Sequence, residues 1–260
     1  MDAGASAAGP GAVRRMPAPG TQPGLLTAGL AVPLPGKGER RTAYSVVRLP
    51  PDLMRAARGH AGAATTNAVF LAAVSGVLRS CLSASPAGPE VTGPVRLSVP
   101  VDQRPADRGD FPGNAFCNVR LAAPVALAAP ADRPAACTGL LRTVTRPSST
   151  AEKVFEAALT ALPGPARALA RGRLFVPAYA PAACTYVHLR ESGSTLAGRP
   201  LRRVTVVPMV PPDGTVTFAL GGCARGHTLS VCTNSGAQDA DLLAEAFRHE
   251  LGLLGEATSV

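Results

Sequence analysis

A histidine set in an apolar, strand-like run is the residue of this sequence best placed for acid–base chemistry. The run is ACTYVHL, residues 183–189, and the histidine is His188. An imidazole titrates near neutral pH, so His188 could serve as a general base, with Glu191 and Asp213 as conceivable partners. It reads more readily as an ordinary strand-end histidine. The other three offer less. His60 ends a short helix, His227 opens a strand, and His249 falls on the exposed side of the last helix. A second polar stretch, DQRPADRGDFPGN (102–114), interrupts two apolar runs. Within it Arg104 could pair with Asp102 or Asp107, Gly113 allows backbone angles other residues resist, and Asn114 can bond a neighbouring backbone group. An ordinary solvated loop with a surface ion pair would look the same.

Familiar catalytic signatures are missing. The sequence holds no GxSxG nucleophile elbow, no GxGxxG after a strand and no GxxxxGK[ST] loop. Six cysteines, at 81, 117, 137, 184, 223 and 232, form no CxxC and no zinc-type spacing with histidine. They read as small buried hydrophobes in a reducing compartment, so no metal site and no covalently bound cofactor is expected. The net charge of +9 is carried almost wholly by arginine, Lys37 and Lys153 being the only lysines. The arginines are scattered, with pairs at 14–15, 40–41 and 202–203 and no aromatic-interleaved strip, which argues against a nucleic-acid partner. No apolar run reaches the roughly 20 residues of a membrane span, so membrane contact is expected to be peripheral at most and the location cytoplasmic.

The elements that would position these residues can be read from periodicity. At 46% hydrophobic and 17% charged, the 260 residues can build a sizeable core. With aromatics at 4% and no tryptophan, Ala, Val and Leu must build it. Residues 1–30, rich in Ala, Gly and Pro, read as a disordered leader, and 31–260 as one folded unit. Strands are predicted at 42–49, 95–101, 115–125, 183–189, 202–210, 214–222 and 227–234. Helices are predicted after Pro51, from Thr66 or Asn67 onward, at 131–146, at 150–171 with a break at Pro163 and Pro165, and at the C-terminus. Asn67 reads first as a helix cap. The 66–82 helix is apolar on nearly every face and must be buried. The last helix, capped by Asp239 or Asp241, should bury Leu242, Leu243, Phe247, Leu251 and Leu254. About seven strands and five helices in mixed order predict α/β layering, a mixed sheet flanked by helices.

The order of these segments resembles the C-terminal half of the bacterial wax ester synthase/diacylglycerol acyltransferase family, within the condensation-domain and chloramphenicol-acetyltransferase-like superfamily. The residues that carry the resemblance are Thr65 and Asn67, then LAAVSGVLR (71–79), then Pro100, Val101 and Arg104, then Gly113 with Asn114. It spans residues 31 to 256. Departures are evident. The family's Asn-Asp pair is Asn67-Ala68 here, and its Ser-Asn-Val-Pro-Gly-Pro strand end falls on Thr185 to Arg190, where only Val187 is identical.

The resemblance implies one chloramphenicol-acetyltransferase-like lobe of a two-lobed O- or N-acyltransferase with its site in a tunnel between lobes. It implies an acyl-CoA or acyl-carrier thioester as donor and a small alcohol or amine as acceptor. Asn67, Arg104, Gly113, Asn114 and Thr185 would bind substrate or line the tunnel. The family's base sits in an HHxxxDG motif on the first lobe, and this sequence contains no such motif. Three readings follow: a split enzyme with a second lobe or homo-oligomer as partner, a gene truncated at its start, or a non-catalytic binding or scaffolding piece. An isolated lobe should expose an apolar flank where its mate would sit.

Overall fold

The computed structural model describes residues 32, 42–62, 64–84, 95–102, 116–144, 157–174, 179–189, 195–209, 215–223, 225–234 and 237–256. Its centre is a six-stranded mixed sheet. The strands are β1 (Ala43–Leu49), β2 (Arg96–Asp102), β3 (Phe116–Ala122), β4 (Ala182–His188), β7 (Val216–Cys223) and β8 (Gly226–Thr233), in the spatial order β1-β8-β7-β4-β2-β3. β4 runs parallel to β2 and β7, and the other pairs are antiparallel. Two short strands, β5 (Thr195–Leu196) and β6 (Arg199–Pro200), form a separate tight hairpin whose turn places Ala197 and Gly198 at positive φ.

Helices cover one face of the sheet: α1 (Pro51–His60), α2 (Thr66–Ser83), α3 (Asp132–Val144) and α5 (Ala237–Glu256); α4 spans Gly164–Leu174. α2 packs between α3 and α5 and is buried from Ala68 through Leu78, as its all-round apolarity requires. By length and composition alone α2 could cross a membrane, but its apolar surface is spent on this core. Phe247 of α5 joins the layers: its ring lies 5.9 Å from Phe70 of α2 and 6.3 Å from Phe218 of β7. Around these few aromatics the core is alanine, valine and leucine, each larger side chain contributing about 1.5–3 kcal/mol by burial.

Three expectations need correction. Residues 202–210 were expected to form a strand, yet 201–209 have no regular structure and no ladder partner among the described residues. They lie across the face opposite the helices. The Arg202 carbonyl accepts from the Cys223 thiol at 3.6 Å, and the Pro208 carbonyl from the Tyr44 hydroxyl at 3.2 Å. The alternating pattern is used to pack on a sheet face instead of extending its edge, and Pro208 has no N–H to give a ladder. Second, Thr65 caps α2, its hydroxyl accepting from the Ala68 N–H at 3.2 Å; Asn67 lies inside the first turn. Third, α5 begins at Ala237, so Asp239 falls within its first turn and Asp241 just past it, neither at the cap; Leu242 is 58% exposed, while Leu243, Phe247, Leu251 and Leu254 are buried. Helix ends are where side-chain propensity and three-dimensional packing most easily diverge.

One buried ion pair ties the helical layer together. Arg133 of α3 donates to Glu250 of α5 at 2.6 Å, with both side chains almost fully enclosed. Arg133 also donates to the carbonyls of Leu127 and Ala128, and Ser80 reaches Glu250 at 3.5 Å. The pair crosses α2 at Gly76, where a β-carbon would collide with both charged groups. A buried pair with every group partnered is tolerated; one left half-partnered is not.

Candidate functional site

Alternation along β4 sends Cys184, Tyr186 and His188 to the helix-covered face and Thr185 and Val187 to the other. β4 ends at His188 in register with Gly222, and Gly222 lies opposite His227 across the β7–β8 hairpin. Histidines 39 positions apart in sequence therefore flank one glycine. A β-carbon on Gly222 would meet His227 Cδ2 at 2.9 Å and Nε2 at 3.1 Å, and His188 Nδ1 at 3.0 Å, so only glycine leaves both imidazoles this close. The Tyr186 ring lies 6.1 Å from His188 and 6.4 Å from His227. The hairpin turns at Gly226, whose φ of +136° suits glycine.

These side chains line a cavity of about 550 Å³ at the N-terminus of α2, closed on one side by Met54 and Arg58 of α1 and by Thr66 at the start of α2. His227 is half-buried and its Nδ1 has no hydrogen-bond partner among the described residues. Burial, then the neighbouring His188, then Arg58 depress the His227 pKa below 6.5, so its imidazole is neutral at neutral pH. Burial raises the Tyr186 phenol, partly offset by its hydrogen bond with Thr66 and by Arg58, so Tyr186 remains an O–H donor. Arg58 is held by its Nε–H donating to the Ala64 carbonyl at 3.1 Å. The site thus combines a neutral imidazole whose enclosed Nδ1 has no partner among the described residues, a second imidazole, a phenol donor and a fixed positive charge. That set can accept a proton and stabilise a developing oxyanion.

Of the residues picked from sequence, His188 lies in this cavity. Asn67 is half-buried in the first turn of α2, where its neighbour Thr66 provides the cavity wall. Thr185 sits on the opposite face, in register with Ala219. Arg104, Gly113 and Asn114, and the partners considered for His188, Glu191 and Asp213, lie outside the described residues. His227, Tyr186, Thr66 and Arg58 join the cavity without having carried a catalytic signal in the sequence. One local signal was available: the pairing of Cys223 with Gly226 sets Gly222 against His227, although that β4 lies beside β7 is not written locally.

Four of the five described thiols, Cys137, Cys184, Cys223 and Cys232, are buried as expected, and Cys81 is partly so. Burial pushes Cys137 up to about 12 and Cys81 up to about 11, and raises Cys184 further; the five described cysteines are free. Among the described residues no group of three or more His, Cys, Asp or Glu side chains could hold a metal.

The architecture defines a class: a condensation-type, chloramphenicol-acetyltransferase-like α/β fold. The chain is similar to the wax ester synthase/diacylglycerol acyltransferase from Marinobacter aquaeolei VT8, at 17% identity and a TM-score of 0.57 over 90% of this chain and 53% of that one. It is similar to the condensation domain of the Monacolin K polyketide synthase MokA, at 14% identity and TM-score 0.59 over 93% and 55%. A third likeness is to the nonribosomal peptide synthetase FmoA3, at 26% identity and TM-score 0.56 over 90% and 24%. No protein-family model and no curated protein matches the sequence. The chain spans about half the length of the acyltransferase and of the polyketide-synthase condensation domain.

Proposed function

We propose that this chain is one lobe, corresponding to the C-terminal half, of a condensation-type O- or N-acyltransferase, and that acyl transfer from a thioester takes place over the His188–His227 cavity. The observation that carries this reading is the unsatisfied, neutral His227 imidazole beside a phenol donor in an open cavity of this fold. In the reaction His227 accepts the proton of an alcohol or amine as its oxygen or nitrogen attacks the thioester carbonyl. Tyr186 donates to the resulting oxyanion. Collapse breaks the C–S bond, and the imidazolium returns the proton to the departing thiolate. This assigns to the chain's own residues the role that HHxxxDG plays in the family it resembles.

A second lobe, from another polypeptide or a second copy, would dock on the face opposite the helices, where Tyr44, Val46, Val187, Val207 and Met209 are exposed, Met209 at 88%. The missing HHxxxDG also favours a second reading, a non-catalytic binding or scaffolding piece. One assay separates them: release of free thiol from an acyl thioester in the presence of alcohols and amines, by the chain alone and with the products of neighbouring genes. Acceptor-dependent release sensitive to His227 supports transfer. Stable association with no release under any combination supports scaffolding.

A further inference from the structure

A second cavity, about 350 Å³, wraps the same end of the sheet and shares Pro51, Gly226 and His227 with the first. Four arginines line it: Arg48 from the end of β1, Arg202 and Arg203 from the segment crossing the open face, and Arg225 from the β7–β8 turn. No ion pair or hydrogen bond from these guanidinium groups to a carboxylate occurs among the described residues. By contrast, Arg55, Arg133 and Arg248 each have one. Gathering four like charges around one concavity without a counter-charge opposes folding, and that opposition is relieved when a multivalent anion enters. Guanidinium forks match phosphate oxygens two at a time.

We propose that this cleft binds the phosphate groups of a ligand whose other end reaches the histidine cavity. Four positive charges call for more than one phosphate, so the cleft fits a pyrophosphate better than a single phosphodiester. The inference rests on the acyl-transfer reading only in naming the ligand: a thioester donor carrying a pyrophosphate is a coenzyme A thioester, whereas a carrier protein presents a single phosphopantetheine phosphodiester.

The test is calorimetric titration of the full chain at 0.15 M salt with inorganic pyrophosphate, coenzyme A, phosphopantetheine and a short single-stranded DNA. Pyrophosphate and coenzyme A are expected to bind, phosphopantetheine at least tenfold more weakly. The Arg202→Ala/Arg203→Ala variant should weaken pyrophosphate at least tenfold. The Arg199→Ala/Arg248→Ala variant, which removes the same charge elsewhere, should leave it unchanged. If the alanine pair fails to fold, Arg202→Lys/Arg203→Lys keeps the charge without the fork and should still lose several-fold. Phosphopantetheine binding as tightly as coenzyme A would overturn the choice of donor. Equal losses in both variant pairs, equal binding of DNA, or no binding of pyrophosphate would overturn the site. Because the titration needs no turnover and no second lobe, a chain that binds pyrophosphate but transfers nothing in combination with any second lobe loses the acyl-transfer reading and keeps the cleft. A chain that transfers but does not bind loses only the cleft.

Discussion

Two polar clusters in this molecule are built on the same device and finished differently. In each, a glycine leaves out a β-carbon so that two titratable side chains can meet over it: Gly76 beneath Arg133 and Glu250, Gly222 beneath His188 and His227. The first is closed. Its charges oppose one another, its spare N–H groups reach carbonyls, and it lies deep between α2, α3 and α5. The second is open. Its rings are of one kind, one nitrogen is left without a partner, and it borders a cavity. The difference teaches how to tell a polar group kept for structure from one kept for chemistry. A folded chain tolerates enclosed polarity when every hydrogen-bonding position is filled, and an unfilled one beside a cavity is an invitation to a ligand.

Replacing Glu250 with alanine strands Arg133 in the core, and the expected cost is about 3–5 kcal/mol, read as a shift in the chemical-denaturation midpoint. A loss below about 1 kcal/mol, the range of exposed pairs, would show that the pair is not the closed cluster described here. The two glycines sharpen the contrast. Gly76→Ala forces apart a pair with nowhere to go and should cost about 1–3 kcal/mol. Gly222→Ala pushes on imidazoles that border open space, so unfolding should be nearly unaffected while acyl transfer falls. Equal destabilisation by both would erase the distinction.

The smallest effect is a pH dependence. His227 has a folded pKa below its unfolded value of 6.5, because burial, His188 and Arg58 all disfavour its charged form. Its contribution to stability is fully present above pH 6.5. As pH falls from 6.5 down through the folded value, the unfolded chain binds a proton that the folded chain resists, so stability declines across that window. Thermal melts of His227→Gln should show a flatter profile below pH 6.5, and a profile identical to wild type would contradict the assigned shift.

Much of this architecture was legible because its signals are local. β1, β2, β3, β4, β7 and β8 and the helices α2 and α5 lie where alternation and apolar density put them. Residues 201–209 misled because packing across a sheet and pairing along its edge leave the same period-two trace. The site was half legible. His188 stood out by its chemistry, but its partner is set by β4 lying parallel to β7, a long-range pairing that no window of sequence contains. His227 looked ordinary at the start of a strand until Gly222 and the cavity were in place.

The most direct test of the central claim is the rate of acyl transfer by the His188→Ala/His227→Ala variant, assembled with whatever second lobe the wild type requires and matched for folded fraction. A fall of at least about a hundredfold in kcat/KM is expected, with the unfolding midpoint unmoved. A rate within twofold of wild type would place the proton acceptor elsewhere and contradict it.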